Sequence, residues 1–564
     1  MKEQYTYDAI VVGSGITGGW AAKELTEAGL KTLVLEAGGP IHPAKDYVEH
    51  VQPYEVPFRA WGDERGPLRK EQPVQADCYA CDEIGHKLFV NDIENPYSNA
   101  DGAPFSWFRG RQVGGRSITW GRQVYRWSDL DFEANARDGH GNDWPIRYKD
   151  IAPWYSHVER FIGVSGSPEG LAQLPDGEFL PPMQMTAVER TARERIHRRF
   201  NGERLMTIGR AAILTQNHNG RAACHYCGPC ERGCITHSYF SSIGSTLPAA
   251  DATGNLTLRP HSIAADLTYD AARGRIRGVR VIDANTLKET EFKSRVVFLC
   301  ASAIESIRLL LNSKSAHFPD GLANSSGTLG RYVMDHHYGS GATGTMGGFE
   351  DRTTFGRRPN GIYIARFRNV SSRHPGFLRG YGMQGGSSRK DWHRGVDAPG
   401  VGAEFKRSLL SDSGPWILGA AGWGETLPHI DNRVTIDPIL KDKWGVPAAR
   451  MDVRWRENER AMQRDMMDSM AEMLDAAGCT GIAMKSADHP PGHCIHEMGG
   501  ARMSIKPTDG VLNAWNQAWD VQNLFITDGA CMASSACQNP SITYMALTAR
   551  AVDRAVSQMR RNEL

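Results

Sequence analysis

The chain has 564 residues, enough for three or four domains of ordinary size or for fewer large ones. Its 65 Lys and Arg residues nearly balance 64 Asp and Glu residues, and 40% of the residues are hydrophobic. These values exclude a strongly basic surface that would bind nucleic acid or an anionic membrane. They also exclude the fibrous and disordered classes of protein. The longest apolar stretches, such as 296–301, are far shorter than the ~18 residues of a membrane span. The composition therefore predicts a soluble globular protein.

The first 36 residues show the pattern strand, glycine-rich turn, helix, strand. An apolar strand over 8–12 runs into Gly13, Gly15 and Gly18, a helix follows over 19–28, and a second strand ends at Glu36. In such a unit the first glycine permits a tight turn, the second admits a pyrophosphate and the third lets helix and strand pack closely. The helix N-terminus faces the phosphates, and the acid can accept hydrogen bonds from a ribose. We predict a dinucleotide site; the alternative is a glycine-rich turn without a ligand.

The rest of the chain carries weaker patterns of secondary structure. Loops are predicted over 40–105, strands over 255–258, 277–283 and 295–299, a helix over 302–312, a mainly β unit over 340–455 and a helix over 457–477. A second glycine-rich segment, 109–121, contains Gly114, Gly115 and Ser117. In the last helix, methionines at helical spacing indicate a stripe facing the core: Met462, Met466, Met470 and Met473. No repeat or linker is visible, so we expect domains that interleave along the chain.

Four of the eleven cysteines fall within one short loop: Cys224, Cys227, Cys230 and Cys234. Tetrahedral zinc held by two cysteine pairs usually needs a dozen or more residues between the pairs. The short loop instead favours wrapping around an iron–sulfur cluster, with zinc and free or disulfide-bonded thiols as alternatives. Three ligands would hold a three-iron cluster and four a four-iron cluster, and the spacing does not choose between them. Cys78 and Cys81 form a separate pair. They could be a redox dithiol or part of a metal site, and the simpler interpretation is that they are structural.

The C-terminal third holds polar residues in glycine-rich or helix-entry positions. His496 lies in a glycine-rich loop, Asp528 and Gly529 follow an apolar strand, and Asn539 and Pro540 precede a helix. A lone histidine is more often structural than catalytic, so its assignment depends on its neighbours.

Taken together, these motifs resemble the glucose–methanol–choline (GMC) oxidoreductases, flavoenzymes that oxidise alcohols, over nearly the whole chain. The resemblance also includes the segment that ends in Asp335 and His336. It implies an α/β fold in which a Rossmann-like FAD-binding domain (1–119, 240–335 and 497–564) interleaves with a mainly β-sheet substrate domain (120–239 and 336–496), which carries the cysteine loop at 224–234. It implies non-covalent FAD, because Thr119 precedes Trp120 where some relatives attach the flavin to a histidine. The implied FAD-binding residues are Gly13, Gly15, Gly18, Glu36, Gly114, Gly115, Ser117, Asp528, Gly529, Asn539 and Pro540.

The cysteine loop makes the chain similar to the large flavin subunit of bacterial sugar dehydrogenases of the glucose, gluconate, fructose and glucoside 3-dehydrogenase types. In the glucose type three cysteines hold a three-iron cluster; Cys224, Cys230 and Cys234 match their spacing, and Cys227 is additional. The resemblance implies oxidation of a hydroxyl of a glucoside, aldose or aldonate. In that reaction His496 would be the general base and Asn539 would bind the same oxygen. A cluster passes electrons singly, so it implies an external acceptor, a cytochrome c subunit or a quinone, rather than oxygen.

Localisation depends on partners. A buried-strand pattern begins by about Tyr7 and leaves no room for a cleavable export signal, which by itself predicts a cytoplasmic protein. In the resembling complexes, a small chaperone-like subunit often carries the export signal for the large one. We therefore expect such a partner and a periplasmic location, either free or associated with the membrane, with the cytoplasm as the alternative.

Two other functions compete with the dehydrogenase. One is an oxygen-using alcohol or sugar oxidase of the same fold, with a structural cysteine loop. The other is an electron-transfer or assembly subunit whose flavin site does not turn over. His336 and His337 are interpreted as structural in all three.

Overall fold

The computed structural model describes residues 5–51, 55, 65–354, 356–389, 395, 399–411 and 413–564. The strands are β1 (Tyr7–Val12), β2 (Thr32–Leu35), β3 (Ser98–Asn99), β4 (Val164–Ser165), β5 (Phe179–Leu180), β6 (Met206–Ile208), β7 (Leu256–Arg259), β8 (Ser262–Asp270), β9 (Arg275–Asp283), β10 (Glu289–Leu299), β11 (His337–Met346), β12 (Ile362–Ile364), β13 (Tyr381–Arg389), β14 (Trp416–Gly424), β15 (Arg433–Lys441), β16 (Pro447–Asp452), β17 (Thr480–Lys485) and β18 (Leu524–Ile526). The helices are α1 (Ile16–Glu27), α2 (Pro43–Asp46), α3 (Asp129–Phe132), α4 (Ala134–Asp138), α5 (Tyr148–Ile162), α6 (Ala187–Arg199), α7 (Thr246–Asp251), α8 (Ala303–Asn312), α9 (Gly402–Ser411), α10 (Glu457–Ala477) and α11 (Ser541–Arg560).

The first sheet is parallel at its centre, where β7, β2, β1 and β10 lie side by side and β18 pairs with the end of β10. Residues 9–12 of β1, 33–35 of β2, 296–299 of β10 and 524–526 of β18 are continuous buried apolar runs, as expected for a parallel sheet covered on both faces. Helices α1 and α11 pack against each other beside this sheet. The arrangement confirms the predicted α/β class, with the glycine-rich turn between β1 and α1.

Strand β10 belongs to two ladders. Its first part, residues 289–293, pairs antiparallel with β9, and its second part, residues 294–299, pairs parallel with β1. β9 continues to β8, which the sequence analysis did not identify as a strand. One long strand thus carries an antiparallel extension away from the parallel centre.

The second sheet is antiparallel, in the order β17-β11-β14-β13-β12-β6. Helix α10 packs on β11 and β14, and the four methionines of the predicted stripe are fully buried in the core between helix and sheet. The helix has the predicted bounds and the methionine stripe is confirmed as core. The stretch 340–455 is mainly β, as predicted, although it also contains α9.

A smaller sheet, β15-β16-β3, links the segment around residue 98 to the middle of the chain. The first sheet draws its strands from 7–35, 256–299 and 524–526, and the second from 206–208 and 337–485, so the two sheets interleave along the chain. The domain boundaries given above stay a prediction. No helix within the described ranges is both long and apolar enough to cross a membrane.

Candidate active site

A cavity of about 610 Å³ lies between the two main sheets. One end is formed where parallel strands of the first sheet finish, at Val12, Leu35 and Cys300. The other end is formed by Gln384 and Trp423 of the second sheet. Ligands of parallel α/β sheets bind beyond the carboxyl ends of the strands, and this cavity begins at that place.

The three glycines of the first turn have different surroundings. Gly13 has φ +96°, and a Cβ there would overlap the carbonyl of Cys300. A Cβ on Gly18 would overlap the carbonyl oxygen of Gly13, so this glycine permits close contact of helix and strand. A Cβ on Gly15 would meet no protein atom within 4 Å, and Gly15 lines the cavity. The turn is packed against protein backbone at Gly13 and Gly18, whereas at Gly15 it faces the cavity, where a ligand can approach.

Glu36 lies at the end of β2 in the cavity wall and is buried. Its carboxylate accepts hydrogen bonds from Ser14 Oγ at 2.6 Å, from the Ser14 N–H at 3.1 Å and from the Gly38 N–H at 2.9 Å. Burial raises the pKa of Glu36, while these donors favour its charged form. Two oxygens offer about four acceptor positions, so the carboxylate retains capacity for a ligand hydroxyl.

The second glycine-rich segment packs directly on the first. The Gly114 N–H donates to Ser14 Oγ at 3.0 Å, and Ser117 Oγ donates to the Gly114 carbonyl at 2.5 Å. A Cβ on Gly115 would lie 3.4 Å from Gly15 Cα. Gly115 and Ser117 line the cavity, whereas Gly114, like Gly18, lies outside the lining.

The predicted catalytic pair meets at the other end of the cavity. Asn539 Nδ2 lies 3.4 Å from His496 Nε2, and both residues line the cavity. Gln384 Nε2 donates to Asn539 Oδ1 at 2.6 Å, which fixes the amide with its nitrogen toward the histidine. A hydroxyl placed beside both residues would give its proton to Nε2 and accept a hydrogen bond from Nδ2.

The loop that carries His496 is held by Asp335. The carboxylate accepts the His496 N–H at 2.9 Å, the Gly492 N–H at 2.8 Å and the Cys494 N–H at 3.3 Å. Burial, followed by the charge of Glu497, raises the pKa of Asp335 to about 7, although the three donors act in the opposite direction.

An ion pair joins the same loop to the second glycine-rich segment. Arg116 and Glu497 make a bidentate pair, with Nη2 to Oε2 at 2.9 Å and Nη1 to Oε1 at 3.2 Å. Burial lowers the pKa of His496 well below its usual value, and His336 and Arg116 lower it further. The histidine is therefore neutral at neutral pH and can accept a proton.

Several features of the cavity fit a flavin dinucleotide. The Tyr544 hydroxyl is buried at the cavity wall with no hydrogen-bond partner among the described residues. Helix α11 begins after Pro540 without a side-chain cap, and its first residue lines the cavity, so its N-terminus can stabilise negative charge. Asp528 and Gly529 lie in the same wall, where a Cβ on Gly529 would overlap the Glu497 carbonyl. With the glycine turn and Glu36, these groups give polar contacts along the length of such a cofactor.

The four loop cysteines lie outside the cavity lining, and each is a free thiol. Cys227 is exposed and the other three are half-buried. The Tyr226 N–H donates to Cys224 Sγ at 3.4 Å, and Thr236 Oγ1 lies 3.3 Å from Cys234 Sγ. Left-handed backbone at Gly228 and Gly233 turns the loop between its cysteines.

Thiolates around tetrahedral zinc, with Zn–S bonds of ~2.3 Å, lie about 3.8 Å apart. Within the described ranges, the group of three potential ligand atoms gathered within 4.8 Å is at His336, Cys494 and His496, not in the cysteine loop. Among the described residues, the loop thiols are therefore not gathered at the spacing of a tetrahedral zinc site.

The cysteine loop is close to the cavity wall. Arg122 lines the cavity, and its Nη1 lies 3.5 Å from the Cys230 carbonyl oxygen. Its guanidinium also lies 4.9 Å from the centroid of the Tyr239 ring. Arg122 thus contacts both the cavity and the loop, and it carries a positive charge.

Sequence reasoning missed three parts of this site. Gln384 fixes Asn539, but nothing in the sequence around it marks the residue. Tyr338 and Trp423 form a cross-strand pair on β11 and β14 and line the cavity, with ring centroids 5.4 Å apart. His336 contacts His496 directly, although the sequence analysis interpreted this residue, which follows Asp335, as structural.

Cys78 lines the cavity and Cys81 does not; both are buried free thiols.

Comparison with known proteins agrees with this picture. Residues 7–337 and 428–548 match the N- and C-terminal family models described as GMC oxidoreductase. A 2-methyl-1,2-propanediol dehydrogenase of Mycolicibacterium austroafricanum is 30% identical, with 97% of this chain and 94% of that protein covered. A fructose dehydrogenase large subunit of Gluconobacter japonicus is 25% identical over 99% of each chain. The solved structure of pyridoxine 4-oxidase from Mesorbium loti has a TM-score of 0.61 over 97% of this chain and 98% of that chain, at 17% identity, a likeness of fold.

Proposed function

Because the chain belongs to the GMC oxidoreductase family, whose members bind FAD and act on alcohol and sugar hydroxyls, we propose that it is an FAD-dependent dehydrogenase of sugars or sugar derivatives. The proposed reaction converts a hydroxyl of a glucoside, aldose or aldonate to a carbonyl and delivers the electrons to an acceptor other than oxygen.

The observation that carries this proposal is the continuity of one cavity. It extends from Gly15 and Glu36, which suit a dinucleotide, to His496 and Asn539, which suit a reacting hydroxyl. A cofactor that fills the first part and a substrate that fills the second would therefore be in contact.

His496 and Asn539 have different roles at the substrate oxygen. Neutral His496 takes the hydroxyl proton at Nε2 while Asn539 Nδ2 stabilises the negative charge that develops on that oxygen. FAD, when bound, supplies the acceptor for the hydride that leaves the carbon. Tyr338 and Trp423 form the apolar side of the substrate end, where aromatic faces can pack against the C–H faces of a sugar ring.

We also propose that the cysteine loop holds an iron–sulfur cluster through Cys224, Cys230 and Cys234, with Cys227 as a possible fourth ligand. Such a cluster supplies one-electron transfer to an external acceptor. The position of Arg122 supports this assignment, because this residue lines the cavity and also contacts the backbone of the loop at Cys230.

Anaerobic mixing with candidate substrates tests the reaction. We expect one or more glucosides, aldoses or aldonates to bleach the flavin absorption, and the bleached enzyme to reduce ferricyanide far faster than oxygen. His496→Gln should abolish bleaching, whereas His197→Gln, exposed on α6 and outside the cavity lining, serves as its control. Rapid reoxidation by oxygen would favour the oxidase alternative, and bleaching at the wild-type rate in His496→Gln would remove the assigned base.

Electron paramagnetic resonance and iron analysis test the loop. A signal in the oxidised protein would indicate a three-iron cluster, which Cys227→Ser should leave intact. A signal that appears only after dithionite would indicate a four-iron cluster, which Cys227→Ser should alter. Cys479→Ser, a buried cysteine outside the loop, is the control for the Cys-to-Ser change. Flavin without iron in anaerobically prepared protein would refute the cluster.

We propose, finally, that a small chaperone-like subunit with an export signal takes this chain to the periplasm and that a cytochrome c subunit accepts the electrons. The likeness to a protein named as a large subunit supports a multisubunit assembly. Fractionation of cells that express the chain with and without its genomic neighbours tests this. A fully active chain that stays in the cytoplasm in both cases would contradict it.

A further inference from the structure

His336 is a buried histidine in direct contact with the proposed base. It directly precedes β11, its exposed fraction is 1%, and its Nδ1 lies 2.9 Å from His496 Nδ1. Its other ring nitrogen, Nε2, lies 3.1 Å from the Ser535 carbonyl oxygen and 3.0 Å from that of Ala536. Each ring nitrogen therefore has a defined partner.

These partners determine where the protons are. A carbonyl oxygen can only accept a hydrogen bond, so Nε2 of His336 must carry the proton. In the neutral ring Nδ1 of His336 is then an acceptor, and His496 Nδ1 must be the donor across the 2.9 Å contact. This leaves the lone pair of His496 at Nε2, the nitrogen that faces Asn539. Burial lowers the pKa of His336 to about 4, which keeps its ring neutral.

The backbone that supplies the two carbonyls is held in an unusual conformation. Ala536 has φ +51°, a left-handed conformation that L-residues rarely adopt. Ser535 Oγ fixes this turn, because it donates to the Thr426 carbonyl at 3.1 Å and accepts the Thr426 N–H at 3.0 Å. Left-handed backbone at one residue lets consecutive carbonyls converge on one nitrogen.

We propose that His336 is a positioning residue that holds His496 in the Nδ1–H tautomer, so that Nε2 is available to take the substrate proton. The inference rests on the proposed function of His496 as the base. It goes beyond the assignment of the pair His496 and Asn539, since it names the group that decides which nitrogen of His496 reacts.

Two variants separate the roles of the two ring nitrogens of His336. His336→Asn places a carbonyl oxygen near the Nδ1 position and keeps an acceptor for His496. His336→Gln places its amide near the Nε2 position, keeps a donor for the two carbonyls and removes that acceptor. Each loses one hydrogen bond, so equal melting temperatures would show that their folding is matched. His337→Gln is the control, because His337 is also fully buried and neither of its ring nitrogens has a hydrogen-bond partner among the described residues.

The test combines flavin-bleaching rates of the holoenzyme with two-bond ¹H–¹⁵N spectra of protein labelled with ¹⁵N-histidine, in which His496→Gln identifies the His496 signals. We expect the wild type to show His496 protonated at Nδ1. In His336→Gln we expect loss of the single tautomer and a bleaching rate lower by about 10²-fold or more, since a catalytic histidine in the wrong tautomer costs up to ~10⁴-fold in serine proteases. His336→Asn should recover most of the rate, and His337→Gln should leave it unchanged.

The outcomes distinguish this inference from the proposed function. His496 protonated at Nε2 in the wild type, or an unchanged tautomer and rate in His336→Gln, would overturn the role of His336. Undiminished bleaching in His496→Gln would instead refute His496 as base, and the spectra would still report which nitrogen His336 contacts.

Discussion

Replacing Gln384 by Leu tests whether the orientation of the Asn539 amide matters. The change removes the 2.6 Å hydrogen bond to Asn539 Oδ1 and frees the amide to rotate away from His496. One such bond contributes about 1–1.5 kcal/mol, and 1.4 kcal/mol corresponds to a tenfold change in rate, so we expect a roughly tenfold loss in kcat/KM. Asn539→Leu removes the donor to the developing negative charge and should cost about 10²–10³-fold.

The double variant tests whether Gln384 acts through Asn539. If Gln384 acts only through Asn539, adding Gln384→Leu to Asn539→Leu should cause no further loss, and the cycle should show a coupling of about 1 kcal/mol or more. The assay is anaerobic flavin bleaching under substrate-limited conditions, with Gln463→Leu on α10 as a control for a Gln-to-Leu change away from the cavity. Additive losses would show that Gln384 acts independently, for example on the substrate, and would refute the orientation argument.

Three further predictions concern pH, the glycine turn and stability. Because the pKa of His496 is lowered, kcat/KM should stay level through neutral pH and fall only as pH drops well below 6.5, where the base becomes protonated; a step near pH 7 would instead point to Asp335. Gly15→Ala should give a folded protein with reduced flavin content, whereas Gly18→Ala should lower the melting temperature, a contrast that absorbance and thermal denaturation measure and that equal behaviour would contradict. Glu159→Ala should lower the free energy of unfolding by about 3–5 kcal/mol in a denaturant titration, because it leaves buried Arg126, whose Nε donates to Glu159 Oε1 at 2.9 Å, without its carboxylate; a loss below 1 kcal/mol would contradict this.

The elements that the sequence could predict depend on local signals. The turn at Gly13 and the strand before Glu36 were placed correctly because glycine conformation and apolar runs are local properties. Helix α1 begins at Ile16, three residues before its predicted start, since Gly18 and Gly19 resemble helix breakers in the sequence. In the structure both lie inside the helix, and they are glycines because neighbouring groups leave no room for a Cβ.

What the sequence could not predict depends on strand register. Gln384 reaches Asn539 only because β13 pairs with β14, and Trp423 faces Tyr338 only because β14 pairs with β11. No local pattern encodes such pairings, since their partners lie on different strands. Strand β8 was missed for a related reason, because its alternation is interrupted by small residues and shifts in register against β9.

Two adjacent residues that directly precede β11 control the proposed base in different ways. Asp335 sets the position of His496, since its oxygens accept three N–H groups from the loop 492–496. An amide at this position would turn an NH₂ group toward some of these donors, so the loop needs a carboxylate. His336 then sets the proton on His496 through one contact between ring nitrogens. Because both residues directly precede a strand of the second sheet, that sheet positions both the loop that carries His496 and the ring that contacts its Nδ1.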